Sequence, residues 1–510
     1  MTDFKQFPEY DELHVISDIH MGGEPGFQIL RETQRLAGYI RWVAEQCPAG
    51  NVALILNGDV FDTLAEKQNT GYVATENVVA IVKRIMDDAA FIGIWDALAE
   101  LVKLKQRTLV FVIGNHDIEI SFPIVQNLIL WRLAGDKLEQ RARIQFSTTG
   151  AGFTCKVGNA KVYCTHGNEV DAWNFNRYED LAKLGRRLNV GRSLDKEEWF
   201  PNAGTRMVKE VMNEVKETYK WIDLLKPETT AAVGTLVVLD PSQASKIADL
   251  ASIVGKLTVD SKQVDQRLSA DGFQVQVPAD APKVRTDQLL GSNVTESIRS
   301  NQNPSSDDID DMLLNAGNNL GNPKALLAKQ DQALGTPQLI WDSLTGWITG
   351  VGKPEALRRA LQDWLKDDKT FDVNDKDDTY KNVIASVGSS VNFIITGHTH
   401  LERAIPIEVN RFYFNCGTWI RLLKFTDAML KDTKSFEPVY ELLVNKEGRM
   451  ELIDEAEFPD TTGKKIPFVM NQTSAVSIKK ENGMVVGRLT HIELDGDVLS
   501  AKEIKKFVRS

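Results

Sequence analysis

Seven histidines occur in the 510 residues, and five of them lie in short polar motifs that each follow an apolar run. Asp18-Ile19-His20 follows a strand predicted at His14–Ser17. Gly58-Asp59-Val60-Phe61-Asp62 follows the unbroken apolar run Val52–Leu56. Gly114-Asn115-His116-Asp117 follows Leu109–Ile113. His166-Gly167-Asn168 follows the second arm of a hairpin, and Gly397-His398-Thr399-His400 follows Val391–Thr396. Imidazole and carboxylate side chains are ligands for zinc, manganese or iron, not for thiolate-seeking ions. In extended backbone, residues i and i+2 point the same way. That geometry predicts that Asp18 and His20 reach one ion together, and likewise His398 and His400. The glycines beside Asp59, Asn115, His166 and His398 allow sharp turns and close backbone approach.

These motifs need a scaffold that brings five distant segments together. Buried apolar runs alternate with helical periodicity at Leu30–Glu45 and Asn77–Leu104. Phe153–Val157 and Lys161–Thr165 flank the turn Gly158-Asn159. This β-α-β alternation predicts a layered α/β domain. Ligands of open α/β sheets bind at the carboxyl ends of strands, where all five motifs fall. From about 179 to 387 the pattern turns helical, with amphipathic stretches at Met207–Leu225 and Leu357–Leu365. A loop-rich, polar segment spans 260–337. The domains expected are therefore an α/β part at 1–178, a mostly helical insertion at 179–387 and a second α/β part at 388–510. Because both ends of the insertion leave ligand-bearing strands, it reads as a lid or cap, with an oligomerisation module as the alternative. In the last part, Tyr440–Val444 and Arg449–Ile453 read as a hairpin, and the tail as two or three strands and a short final helix.

Composition narrows the function classes. The chain is 42% hydrophobic and 26% charged, with net charge −11. That balance disfavours a dedicated duplex-DNA binder, which needs a basic footprint. No apolar run approaches the ~20 residues of a membrane span. The N-terminus shows no secretory h-region, and Cys47, Cys155, Cys164 and Cys416 form no CxxC pattern, which points to free thiols and a cytoplasmic location.

The set DIH, GDVFD, GNHD, HGN and GHTH, in that order, resembles the calcineurin-like metallophosphoesterase superfamily over residues 10–175 and 385–425. The resemblance implies a four-layer αββα sandwich, here interrupted by the insertion. It implies two divalent metal ions, Mn2+ first among them, with Fe, Zn or Ni as alternatives. Asp18, His20, Asp59 and His400 would hold one ion; Asp59, Asn115, His166 and His398 would hold the other, with Asp59 bridging. Hydroxide bound between the ions would attack phosphorus in a phosphomonoester, phosphodiester or pyrophosphate. His116 would act as the catalytic proton donor, oriented by Asp62, and Asn115 and His116 would contact the phosphate of the substrate; apart from the resemblance, Arg177 reads either as a further phosphate contact or as a solvated or salt-bridged arginine. Asp117 is a further candidate behind the ligands. The competing readings are a nuclease acting on DNA or RNA and a non-catalytic scaffold that kept the fold. The sequence leaves the substrate and the oligomeric state open.

Other residues carry weaker signals. Asn415 and Gly417 either pack the site floor or touch substrate. Arg421 reads as salt-bridged or solvated, and His14 and His491 as structural or surface residues. Trp173 and Asn174 line the site or pack beside it, Cys164 packs within its strand, and Trp341 and Trp347 belong to the insertion core.

Overall fold

In this computed structural model, the residues described are 7–171, 174–192, 201–226, 235, 239, 352–364, 371–445, 449–496 and 498–509. Trp173, Trp341, Trp347 and the segment 260–337 lie outside them. The chain forms two compact units. The first comprises Met1–Thr205, Lys369–Arg421 and Asn471–Ser510, and the second Arg206–Asp368 and Leu422–Met470.

Two sheets make the first unit. In chain order its strands are β1 (Glu9–Tyr10), β2 (Glu12–Ile16), β3 (Val52–Asn57), β4 (Arg107–Val112), β5 (Ile144–Ser147), β6 (Phe153–Val157), β7 (Ala160–Cys164), β8 (Phe393–Thr396), β9 (Glu402–Glu408) and β10 (Arg411–Cys416). The tail adds β11 (Ser474–Glu481), β12 (Met484–Asp495) and β13 (Val498–Arg509). One sheet runs β13-β12-β11-β2-β3-β4-β5, with β2 to β5 parallel; the other runs β1-β6-β7-β8-β10-β9, with β7, β8 and β10 parallel.

Period-2 alternation explains why the central strands are apolar on both faces. Ala53, Ile55, Val110 and Val112 pack inward against Cys155, Val162, Phe393 and Phe414 of the facing sheet. Leu54, Leu56, Leu109 and Phe111 point outward, under helices α1 (Thr33–Glu45), α2 (Val78–Asp87), α3 (Ile92–Lys103) and α4 (Pro123–Ala134). On the opposite side, Tyr380 and Val383 of α5 (Asp378–Ser386) cover Ile394, Ile405 and Tyr413. The result is the four-layer αββα sandwich. Each fully buried Ile, Leu or Phe in these layers contributes roughly 1.5–3 kcal/mol.

Three local expectations are corrected. Asn77–Leu104 is not one helix. Asp88 ends α2 in extended backbone, and its side chain accepts from the N–H of Ala90 at 2.9 Å, so the chain restarts as α3. The final short helix is instead the edge strand β13. A register shift opposite Leu489 and Thr490 leaves Ile504 as an extra residue. Ile504 and Phe507 therefore both reach the core between the sheets, and Phe507 stacks on Phe412. Their spacing of three residues is what imitates a helix in the sequence. The described residues 440–445 and 449–453 are not the arms of a hairpin either. Thr433–Tyr440 is helical, runs into a π-turn at Glu441–Asn445, and is followed by the helix Met450–Asp454.

This last stretch belongs to the second unit, although the sequence reading gave 388–510 whole to the α/β domain. The second unit is mostly helical where described. Trp221, fully buried, donates Nε1–H to the carbonyl of Leu443 at 2.9 Å, and Arg358 in the helix Lys353–Trp364 donates to the carbonyl of Leu430 at 2.8 Å.

Candidate metal centre

The candidate residues leave the sheets at the ends of parallel strands. Asp18 and His20 follow β2, Asp59 follows β3, Asn115 and His116 follow β4, His166 follows β7, and His398 and His400 follow β8. Pairing β2 with β3 and β3 with β4, and β7 with β8, therefore puts these loops side by side. Asn57 ties the two sheets together at this edge, donating Nδ2–H to the carbonyl of Thr165 at 2.8 Å.

Asp18 (φ 55°), His20 (φ 52°), Asp59 (φ 52°), His398 (φ 72°) and His400 (φ 60°) are all left-handed. Only three other non-glycine residues among those described share that conformation. Such backbone costs of order 1–3 kcal/mol per residue and concentrates where surrounding structure holds it for function. It also corrects the extended-backbone argument. His398 and His400 do not face the same point. His400 Nε2 lies 3.0 Å from His20 Nε2 and 3.2 Å from Asp18 Oδ1, whereas His398 Nε2 lies 2.7 Å from Asp171 Oδ2 and its ring sits against that of His166.

Neighbouring groups leave one ligand atom of each residue facing inward. Oδ2 of Asp18 takes the N–H of His398 at 3.0 Å and lies 2.5 Å from Ser17 Oγ, so Oδ1 is the oxygen toward His400. His166 Nδ1 meets the carbonyl of Asn57 at 2.8 Å, and its Nε2 lies 3.1 Å from Asp59 Oδ2. Oδ1 of Asp59 accepts the N–H of His116 at 2.8 Å. One ligand atom each from Asp18, His20, Asp59 and His400 fall within 4.8 Å of one another, and all four residues are buried. Oδ1 of Asn115 is also buried and accepts no hydrogen bond among the described residues. Buried lone pairs turned toward each other are costly unless a cation or donor lies between them. The donor set is therefore one that a cation fits.

Glycines permit this packing. A Cβ on Gly114 would strike the Asp59 carboxylate, and one on Gly58 would strike the His166 ring. Behind the ligands, Asp117 is fully buried and accepts the N–H groups of Val60 and Gly114, both at 2.7 Å, so it clamps the Asp59 loop to the Asn115 loop.

His116 is more open than the ligand side chains. Its Nδ1 lies 3.4 Å from Asp62 Oδ1, and its ring contacts that of His20 edge-on. Asp62 also accepts the N–H of Ala65 as a helix cap. Arg177 is half-buried at the N-terminal boundary of the helix Tyr178–Asn189. Its neighbour Asn176 donates to the carbonyl of Gly114 at 3.0 Å. Asn415 packs the floor, donating to the carbonyl of Gly397 at 2.7 Å, and Arg421 donates to the carbonyl of Gln28. His14 is buried beside Glu12 and Tyr39, and His491 pairs with Glu402. Cys164 packs in the inter-sheet core. The sequence reading missed Asp171, Asn176 and Ser17. Ser17 is next to a ligand, but Asp171 and Asn176 follow the HGN motif at distances that no local pattern marks.

Two facing mixed sheets with carboxylate, amide and imidazole groups gathered at their strand ends form a centre able to hold metal. Residues 13–229 match the family model for calcineurin-like phosphoesterases. The matched segment contains four of the five motifs; the fifth, Gly397–His400, reaches the same cluster from beyond it. No curated protein and no solved structure matches the chain.

Electrostatics predicts how the centre takes up metal. Burial works against a charged His166, but the Asp59 carboxylate outweighs it and holds the imidazole up at about 10 in the metal-free protein. Burial pushes His20 down to about 3. Burial also works against the Asp18 carboxylate, but His400 and His166 bring it down to about 2. At neutral pH His166 must therefore lose a proton before it can ligate, while His20 and Asp18 are ready. Metal uptake at pH 7 to 8 is expected to release at least the His166 proton, and affinity should rise with pH up to about 10. Calorimetric titration with Mn2+ in buffers of different ionisation heat measures this directly; uptake without proton release would contradict the His166 assignment. The metal-free fold should respond in the opposite sense. The His166–Asp59 pair stabilises it fully below the ordinary value of 6.5, and this contribution is lost as pH rises through about 10.

Proposed function

We propose that the chain hydrolyses a phosphate ester or anhydride of a small or medium-sized substrate, using a binuclear centre. The observation that carries this reading is the convergence of Asp18, His20, Asp59 and His400 on one cluster, with His166, Asn115 and His398 on loops beside it. In this reading Asp18, His20, Asp59 and His400 hold one ion, and Asp59, Asn115, His166 and His398 hold the other. When bound, the ions would neutralise phosphate charge and lower the pKa of a water so that it can attack phosphorus.

The chain's own side chains supply the rest. Ser17, Asn57 and Asp117 fix the ligand side chains and loops, which limits reorganisation during the reaction. His116, the accessible imidazole, hydrogen-bonds the phosphoryl group and gives a proton to the leaving oxygen. Asp62 sets its orientation from the other ring nitrogen. Arg177, next in the chain to the anchored Asn176, is assigned to the substrate phosphate in this reading. No helix among the described residues is long and apolar enough to cross a membrane.

Purified protein with Mn2+ should hold two ions per chain and turn over p-nitrophenyl phosphate, its bis ester or a pyrophosphate. Two bound ions with no turnover of any ester or anhydride would favour the scaffold reading, and activity confined to DNA or RNA would favour the nuclease reading.

A further inference from the structure

His398 differs from the other histidines of the centre in the contact its Nε2 makes. The Nε2 atoms of His20 and His400 meet each other at 3.0 Å, and Nε2 of His166 lies 3.1 Å from Asp59. Nε2 of His398 instead lies 2.7 Å from Oδ2 of Asp171. The same carboxylate oxygen accepts Nδ2–H of Asn174 at 2.8 Å, and the backbone N–H of Asp171 is tied to the carbonyl of Asn168. The carboxylate is thus held by its own loop, next to the motif that carries His166.

A carboxylate can only accept in this contact, so Nε2 of His398 carries the proton and the lone pair sits on Nδ1. We propose that Asp171 is a positioning residue that fixes this tautomer, so that His398 offers Nδ1 to the cation shared with His166 and Asn115. This rests on the binuclear reading above. It adds a group that no motif contains and a choice of nitrogen opposite to that of His20, His166 and His400. A carboxylate behind a ligating imidazole also raises its basicity, and loss of such a partner typically weakens metal binding about 10- to 100-fold.

The test uses the full chain, as wild type and as Asp171→Ala and Asp171→Asn, titrated with Mn2+ by calorimetry and analysed for metal after dialysis. Wild type should hold two ions. Asp171→Ala should hold one of them about 10- to 100-fold more weakly and leave the other unchanged. Asp171→Asn keeps an acceptor oxygen and should fall between the two. In zinc-loaded protein with 15N-labelled histidine, long-range imidazole correlations should show His398 protonated at Nε2 and metal-bound at Nδ1, a signature that Asp171→Ala loses. A folded Asp171→Ala protein with two ions at wild-type affinity would overturn the proposal, as would Nε2 coordination by His398 in the wild type. Wild type that takes up no ion would overturn the binuclear reading itself, a result distinguishable from the other two.

Discussion

Asp59→Asn is expected to lower kcat/KM by a factor of about a thousand or more and to leave at most one tightly held ion. In the proposed binuclear centre the carboxylate would link both halves. Its Oδ2 lies 3.1 Å from His166 Nε2 and 3.7 Å from His20 Nε2, and its Oδ1 holds the N–H of His116. Asparagine keeps the shape and one acceptor oxygen, so the backbone of the Asn115 loop keeps its hydrogen bond. What is lost is the negative charge. That charge would hold two neighbouring cations together in the proposed centre, and it is what keeps the His166 imidazole up at about 10 without them. A thousandfold loss corresponds to about 4 kcal/mol of transition-state stabilisation, within the several kcal/mol that metal ions contribute to such reactions. The measurements are steady-state turnover, metal content and far-UV circular dichroism. A folded variant with two ions and normal turnover would remove Asp59 from the bridging position.

The second large effect belongs to His116. His116→Gln is expected to reduce kcat by about 10²- to 10⁴-fold on substrates with poor leaving groups, the range attributed to general acid catalysis. Metal content should not change, because the contact between this loop and Asp59 is made by the backbone N–H, which glutamine retains. The loss should be much smaller for p-nitrophenyl esters, whose leaving oxygen needs little protonation. Asp62→Asn should follow the same pattern more weakly, since it acts on the reaction through His116 Nδ1. Equal losses on both classes of ester, or a parallel loss of metal, would mean that His116 holds the centre together and gives no proton.

The acidic net charge of −11 agrees with this chemistry. Carboxylates concentrate cations near the protein, and ions bound in the proposed centre would in turn attract an anionic phosphate to an otherwise negative molecule.

Local chemistry made the candidate ligands of the centre legible in the amino-acid sequence. Each of Asp18, Asp59, Asn115, His166 and His398 follows an apolar run, because a strand buried on both faces must be apolar and the polar residue after it marks where the strand leaves the core. The β-α-β order followed from the same periodicities. Other features depended on groups far apart in the chain. His398 and His400 diverge because left-handed backbone replaces extended chain, and Asp18, 380 residues away, takes the N–H of His398. Asp171 matters only because β7 and β8 are neighbours, a pairing that no local pattern announces. Residues 498–509 form a strand because the edge of β12 satisfies their backbone and the core between the sheets takes Phe507, whereas alone their spacing favours a helix. Periodicity and ligand chemistry act within a few residues and can be read from the chain. Tautomer choice, loop clamping and edge pairing require a partner brought near by folding, and so were decided only in three dimensions.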